Sequence, residues 1–188
     1  NNMKETSGPV VRETKLTKGY TCVSWTPDFK QFKLKGYTQG IIRLYTRHII
    51  DAAMISKVNV SINDVNVPFK NISKYSELYK SPTDEKLVIK TNDCEVLLTP
   101  AAEFEAISFV NGVFTKLGGQ HVDSWSEAIF RPIVEKFNKK GKSKTKSPKI
   151  NINDVKQFFR LFVVATVVRP EFDGQDKNKL ESPQVNAS

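Results

Sequence analysis

Near its C-terminal end the chain contains an apolar run from Leu161 to Val168 that is interrupted only by Thr166. A strand with one face in water alternates apolar and polar residues, whereas a strand covered on both faces is apolar almost throughout. The run is far too short to cross a bilayer, which needs about 20 apolar residues in a helix. It therefore predicts a buried strand, ending at Arg169-Pro170, with other layers of the protein on both of its faces.

Upstream of this run, strand and helix patterns follow one another. β-Branched and aromatic residues at positions 20–26 predict a strand. From Gly40 onward, apolar residues recur at spacings of three and four, which predicts a helix with one buried face. That face consists of Ile41, Leu44, Tyr45, His48, Ile49 and Ala52. We expect His48 to pack at the edge of the core rather than to bind a ligand.

Two hairpins and a short helix are predicted next. Apolar residues alternate over residues 58–69 around the turn Asn63-Asp64, which is a strong hairpin signal. The same pattern returns over residues 87–98 around Asn92-Asp93. Between the two hairpins, residues 72–79 are expected to form a short helix.

The elements that follow alternate in the same way. Residues 104–114 predict one longer strand. A helix is then predicted to start at a capping box, because the side chains of Ser124 and Glu127 can satisfy free backbone N–H groups of its first turn. A short helix capped by Asn153 or Asp154 is expected before the buried strand.

This order of elements predicts a mixed α/β (α+β) chain in two pieces. The breaker cluster at residues 81–84 marks a plausible boundary, so we expect one domain over residues 1–80 and a second over residues 81–188. The tail after Ser182 is polar and is expected to fray.

The cysteines and histidines predict no metal site. Cys22 and Cys94 both lie in apolar, strand-like runs, so we expect buried, reduced thiols. There is no CxxC spacing, no GxxxxGK[ST] loop and no GxGxxG. The polar N-terminal residues show no signal pattern, and we expect a soluble, intracellular protein with no membrane partner.

Most of the positive charge lies in one segment. The chain carries a net charge of +9, which favours a polyanionic partner. Seven lysines without an intervening acid lie between residues 136 and 149: Lys136, Lys139, Lys140, Lys142, Lys144, Lys146 and Lys149. A flexible array of ammonium groups suits a phosphate backbone, because each contact releases counterions without reading sequence. On charge alone, a solvated loop with no partner is an equally good interpretation.

Two further segments are candidates for a functional role. The first contains Gly118, Gly119, His121 and Asp123. Paired glycines permit positive φ or close backbone approach, so a structural turn is a better interpretation than a catalytic His–Asp pair, for which no nucleophile is marked. The second spans residues 172–180 and follows the buried strand. A lysine there could reach a phosphate, although most loops of this composition are ordinary surface turns.

Taken together and in order, these motifs resemble those of the type IIA DNA topoisomerases of eukaryotic type. The most specific match pairs residues 107–112 and 118–123 with the family pattern ISFVNxxxTxxGGxHVD. Residues 170–177 are similar to NPxFxxQTK, and residues 20–34 to YTxVxFxPDxxxF. Further matches are Asn1-Asn2-Met3 to an asparagine-rich strand end, Arg47–Ala53 to RRxYDIA, and Val58–Tyr79 to VxVxLNGxxxxxxxFxxYxxLY.

The resemblance implies both a fold and a function. Residues 1–80 would be the C-terminal part of a GHKL ATPase domain, and residues 81–188 a truncated transducer domain with a ribosomal-protein-like βαβ fold. The full enzyme would be an isomerase that uses ATP and Mg²⁺ to pass one double-stranded DNA through another, as a homodimer. It would work in the nucleus of a eukaryote, or in the host-cell replication compartment if it is viral.

Site roles follow from the same resemblance. Gln175 and Lys177 would contact the γ-phosphate of ATP, and Lys177 would act as the switch that reports the nucleotide state to the DNA-cleavage core. The lysines of the DNA-facing loop would be Lys139, Lys140, Lys142, Lys144 and Lys146. Asp176 stands where the family has threonine, which places a carboxylate beside a triphosphate.

The resemblance also places the remaining catalytic groups elsewhere in the enzyme. The magnesium-binding asparagine, the general-base glutamate, the glycine-rich lid and the DNA-cleaving tyrosine would all lie outside these 188 residues. We therefore expect no catalysis and no bound cofactor from this chain alone. Two alternatives remain: a stand-alone nucleic-acid-binding module of the same fold without ATP coupling, and a structural spacer whose lysines touch nothing.

Overall fold

The computed structural model describes residues 5–140 and 149–187, and the side chain of Lys140 is outside that description. The chain divides into two compact units, Asn1–Leu44 and Tyr45–Ser188. The expected domain boundary at residues 80 and 81 falls inside the second unit and stays a prediction. In the described part of the chain, no helix has the length and apolar character required to cross a membrane.

The first unit is irregular over residues 5–38, so the strand predicted at residues 20–26 is wrong. Val23 is 80% exposed and Trp25 is 61% exposed. Cys22 is exposed as well, so only Cys94 is the buried thiol that we expected. A strand is stable when its backbone N–H and C=O groups pair with a neighbour, and no described segment forms a ladder with these residues.

Helix α1 (Gln39–Ser56) forms as predicted but buries a different face. Its buried residues are Asp51, Ala53 and Met54, whereas Leu44 is 53% exposed and His48 is exposed. Asp51 lies on the inward face, where it has two hydrogen-bond partners. Its carboxylate accepts hydrogen bonds from the Tyr75 hydroxyl at 2.6 Å and from Arg47 Nε at 2.8 Å.

The predicted first hairpin and short helix are confirmed. Strands β1 (Ser61–Ile62) and β2 (Val65–Asn66) pair in antiparallel register. The turn residues Asn63 and Asp64 both have positive φ, 47° and 63°, as the tight hairpin turn requires. Helix α2 (Ile72–Ser76) follows, and Asn71 caps it by accepting from the Lys74 N–H at 2.9 Å.

A five-stranded sheet forms the centre of the second unit. Its strands are β3 (Leu87–Lys90), β4 (Cys94–Pro100), β5 (Glu105–Val110), β6 (Val113–Phe114) and β7 (Phe159–Ala165), in the order β3-β4-β7-β5-β6. Strand β7 pairs antiparallel with β4 and parallel with β5. The apolar run therefore forms the central strand, as its composition predicted.

Hydrophobic clusters cover both faces of this sheet. Leu161 and Val163 of β7 join one cluster, together with Trp125 and Phe130 of helix α3 (Gln120–Lys140). Phe162, whose side chain points to the other face, joins a second cluster that includes Met54, Tyr75 and Phe109. Successive side chains of β7 enter the two clusters in turn, because neighbouring side chains of a strand point to opposite faces of the sheet.

Several boundaries differ from those predicted. Strand β7 ends at Ala165 rather than next to Arg169, and Val168 is 81% exposed. Residues 104–114 form β5, a turn and β6, because Asn111 and Gly112 adopt positive φ values of 49° and 84°. Helix α3 begins at Gln120 rather than at Ser124. The short helix α4 (Ile152–Lys156) is capped by Asn151, whose side chain accepts from the Asp154 N–H while the Asp154 carboxylate accepts from the Asn151 N–H.

The C-terminal residues form a last small hairpin. Strands β8 (Glu171–Phe172) and β9 (Leu180–Ser182) pair antiparallel with an irregularity in register. The residues that follow were expected to fray, yet Val185 and Ala187 pack against the cluster that contains Phe130. Apolar contact with that cluster holds the tail in place.

The Asp51 network yields a stability prediction. Replacing Asp51 with alanine leaves the buried Tyr75 hydroxyl and the Arg47 guanidinium without their shared acceptor. We expect the free energy of unfolding to fall by about 3 kcal/mol. The matched control is Glu127→Ala, which removes an exposed pair with Arg131 and should change it by less than about 0.5 kcal/mol. Equal losses in urea unfolding of the two variants would contradict the assignment.

Candidate functional site

The loop between β8 and β9, residues 173–179, is closed by its own backbone. The Asp173 N–H donates to the Lys179 carbonyl at 3.1 Å, and the Lys179 N–H donates back to the Asp173 carboxylate at 3.0 Å. Within the loop the Lys177 N–H donates to the Gly174 carbonyl at 3.0 Å, with Lys177 at a φ of 56°. The loop therefore has a defined shape although residues 173–177 are exposed.

Gln175 and Lys177 both lie on the exposed part of this loop, with Asp176 between them. The Lys177 ammonium lies 5.8 Å from the centroid of the Phe172 ring, which is a cation–π distance. Among the described residues, no carboxylate forms an ion pair with it. An exposed ammonium on an ordered loop can take an anionic partner without first breaking a salt bridge.

The Gly118-Gly119 turn packs directly against the end of this loop. The Leu117 N–H donates to the Asn178 carbonyl at 2.8 Å, and the Leu180 N–H donates to the Gly118 carbonyl at 3.0 Å. Gly119 and Leu180 form a parallel bridge. Sequence reasoning treated the turn and the loop as separate candidates and gave no individual role to Leu180, which is fully buried.

The same turn starts helix α3. The Gly119 carbonyl accepts from the Val122 N–H at 2.9 Å and the Asp123 N–H at 3.1 Å, so the backbone itself supplies the helix start. Asp123 lies in the first turn of α3, where a negative charge is favourable. Its charge also contributes to the raised pKa of Lys179, although the hydrogen bond from Lys179 to Glu181 is the larger cause.

His121 is fully buried beneath the turn. Its Nε2 lies 3.1 Å from the Thr115 hydroxyl, which is 2.6 Å from the Ser108 hydroxyl. Burial lowers the pKa of His121 to about 4, so the ring is neutral at neutral pH. Within the described chain, its Nδ1 has no hydrogen-bond partner, which adds to the cost of protonation. This network fixes the first turn of α3 to the sheet.

The lysine-rich segment begins at the other end of α3. Lys139 is in the last turn of that helix, where a cation is favourable, and its ammonium lies 4.0 Å from Glu135. The backbone of Lys140 ends the helix, and Lys149 is exposed. Three of the expected loop residues lie outside the described residues: Lys142, Lys144 and Lys146.

Asn138 joins the two ends of this segment. Its side-chain amide donates to the Ile150 carbonyl at 2.9 Å and accepts from the Ile150 N–H at 3.1 Å. These two hydrogen bonds hold the last part of α3 against residue 150, on the far side of the lysine-rich segment in sequence. Sequence reasoning missed this asparagine, because its partner is identified only by the fold.

No metal centre forms among the described residues, where no group of three or more His, Cys, Asp or Glu side chains comes together. The described elements thus present an anion-accessible loop and a basic helix end, both attached to α3.

Comparison with known proteins assigns the family. A model of the DNA gyrase B family matches residues 67–188. DNA topoisomerase 2 of Invertebrate iridescent virus 6 is 41% identical over 191 residues, covering 97% of this chain and 16% of the relative. DNA topoisomerase 2 of Arabidopsis thaliana is 32% identical, covering 96% of this chain and 13% of the relative. The chain thus spans only a small part of the length of these relatives.

A solved structure gives the same assignment. The ATPase region of Saccharomyces cerevisiae topoisomerase II superimposes with a TM-score of 0.69 at 26% identity, covering 83% of this chain and 40% of that one. The chain therefore shares the mixed α/β fold of that ATPase region, which confirms the expected fold class. The chain belongs to the DNA gyrase B family of type IIA DNA topoisomerases, as its motifs indicated.

The buried histidine predicts a pH dependence of stability. Above about pH 6.5, the ordinary histidine pKa, the ring is neutral in both states and its full contribution to stability is present. Between about pH 6.5 and pH 4 the unfolded chain binds a proton that the folded chain does not, so stability falls. The loss by pH 4 should be on the order of 3 kcal/mol.

Unfolding by urea at several pH values measures this contribution. His121→Gln should have a flatter pH profile than the unchanged chain between pH 6.5 and 4. The control is His48→Gln, at an exposed position on α1, which should keep the original slope. The same slope in all three proteins would show that His121 is not the group responsible.

Proposed function

We propose that this chain is part of an ATP-dependent type IIA DNA topoisomerase and links the nucleotide state of the ATPase domain to the DNA-cleavage core. The observation that carries the proposal is the exposed Lys177 ammonium, on a loop with fixed ends and without a carboxylate partner among the described residues. Matched relatives are named DNA topoisomerase 2, which supports this role.

The proposed switch works through differential contact. A ligand shifts a conformational equilibrium only through contacts that it makes better in one state than in the other. When bound, ATP supplies a terminal phosphate, which carries charge that an ammonium and an amide can meet. Lys177 and Gln175 fit that role, since both are exposed on the same loop. After hydrolysis and release, Lys177 loses this contact, so the two nucleotide states differ in energy.

Asp176 limits the geometry of such a contact. A carboxylate between the two proposed contacts would repel a triphosphate. Asp176 is exposed, and we propose that its carboxylate points toward solvent while the side chains on either side of it face the nucleotide. Mg²⁺ would be bound by other parts of the enzyme.

The basic end of α3 fits double-stranded DNA as the second partner. Lys139, Lys140, Lys142, Lys144 and Lys146 would neutralise backbone phosphates without reading sequence. We further propose a homodimeric full-length enzyme inside the cell, in the nucleus of a eukaryote or the host-cell replication compartment of a virus. The matched relatives come from a plant and a virus.

Lys177→Ala in the full-length enzyme tests the switch. Loss of one charge-assisted contact to phosphate is worth about 1.5–3 kcal/mol, so we expect ATP turnover to fall about 10- to 150-fold. The control is Lys179→Ala, two residues away, which removes an ammonium already paired with Glu181 at 2.8 Å. It should change turnover by less than about 2-fold, as expected for an exposed pair. An unchanged rate in Lys177→Ala refutes the sensor and favours a stand-alone binding module.

Replacement of the five loop lysines by alanine tests the DNA role. The slope of log affinity against log salt should decrease by about 0.9 for each lysine that contacts a phosphate. Replacement of the same lysines by arginine should preserve the slope, because the charge is kept. An unchanged slope in the alanine variant would favour the structural spacer.

A further inference from the structure

The geometry points to Gly119 as a positioning residue for the Gln175–Lys177 loop: the absence of a side chain at Gly119 lets the start of α3 lie against the Leu180 backbone. This inference rests on the proposed role of Lys177. It gives the glycine turn a role of its own, which is to set the position of the loop.

The contact at Gly119 leaves no room for a side chain. A Cβ atom at this position would lie 2.2 Å from the Leu180 carbonyl oxygen and 2.6 Å from its nitrogen. Both are backbone atoms, which cannot rotate away as the end of a flexible side chain would. Any substitution at Gly119 must therefore move the backbone of Leu180 or the backbone of the turn.

The turn is the less movable of the two. His121, two residues after Gly119, is fully buried and linked through Thr115 to Ser108 in the sheet. Trp125, on the next turn of α3, is 3% exposed within the core. On the other side Leu180 is buried as well, but its hairpin has two strands and an exposed tip at residues 173–177. The loop should therefore shift when a methyl group is added at Gly119.

Such a shift reaches Lys177 over a short path. Leu180 is three residues from Lys177, and the Asn178 carbonyl between them is held by the Leu117 N–H. Relief of a 2.2 Å contact to an ordinary distance moves the backbone by about 1 Å. When a group that must be positioned for a reaction is displaced by about 1 Å, the reaction can slow by about 100-fold.

The same joint connects the loop to the basic end of α3. The Gly119 carbonyl accepts from the first N–H groups of that helix, and Leu180 is bonded to the neighbouring Gly118. Helix α3 then runs for 21 residues, or about 30 Å at 1.5 Å per residue. It ends at Lys140, within the lysine-rich segment. Helix α3 is therefore the one element that adjoins both segments among the described residues.

The test compares Gly119→Ala with Gly112→Ala in the full-length enzyme. Both glycines have positive φ, 121° and 84°, so both variants carry backbone strain. A Cβ at Gly112 would meet only the Ile55 methyl group at 3.5 Å, an ordinary contact. The two variants thus differ mainly in the clash with Leu180.

We expect Gly119→Ala to reduce ATP turnover at least 10-fold. Gly112→Ala should reduce it less than 3-fold, although both variants should lower Tm by a similar amount. Because Gly119 acts through Lys177, the double variant Gly119→Ala with Lys177→Ala should be no slower than Lys177→Ala alone. A purely structural role would make the two effects multiply.

The outcomes separate the inference from the proposed function. If Lys177→Ala has no effect, the proposed function fails first. If Lys177→Ala slows turnover but Gly119→Ala matches Gly112→Ala, or if the effects multiply, the positioning role of Gly119 is overturned. Should Gly119→Ala fail to fold, Leu180→Val serves in the same double-variant comparison, since it loosens the buried anchor of the loop from the opposite side. Effects of Leu180→Val and Lys177→Ala that multiply would then overturn the inference.

Discussion

Strand β7 holds the second unit together because its side chains alternate between two hydrophobic clusters. Leu161 and Val163 pack under α3, while Phe162 packs against Met54 and Tyr75 on the other face. The strand also lies between β4 and β5, so its backbone is paired on both edges. Helix α3, which both candidate segments adjoin, packs on β7 through the first of these clusters.

The two candidate segments are both built on helix α3. Its first turn contacts the Gln175–Lys177 loop through the glycine turn, and its last turn leads into the lysine-rich segment. Buried hydrogen bonds fix the first end, and Asn138 bonds to Ile150 near the second. If the two segments have the roles proposed above, α3 is the element through which a displacement at one would reach the other.

Local chemistry predicted much of this fold. The hairpin at Asn63-Asp64 follows from residues that tolerate positive φ, and the buried strand follows from its composition. Predictions failed where the local structure depends on residues that are far away in the sequence. The buried face of α1 includes Asp51, whose partner Tyr75 lies 24 residues away. Residues 20–26 have strand-forming side chains, but a strand also needs a neighbour, which the described chain does not supply.

By itself, the sequence determined the central strand, the order of helices and hairpins, the family motifs and the placement of Gln175 and Lys177 on one loop. All of these depend on composition or on residues close together in the chain. Only the tertiary structure brought Gly119 against Leu180 and joined Asn138 to Ile150. Such contacts form between distant segments when the sheet and α3 pack together, so the geometry of the candidate site is set by packing rather than by local pattern.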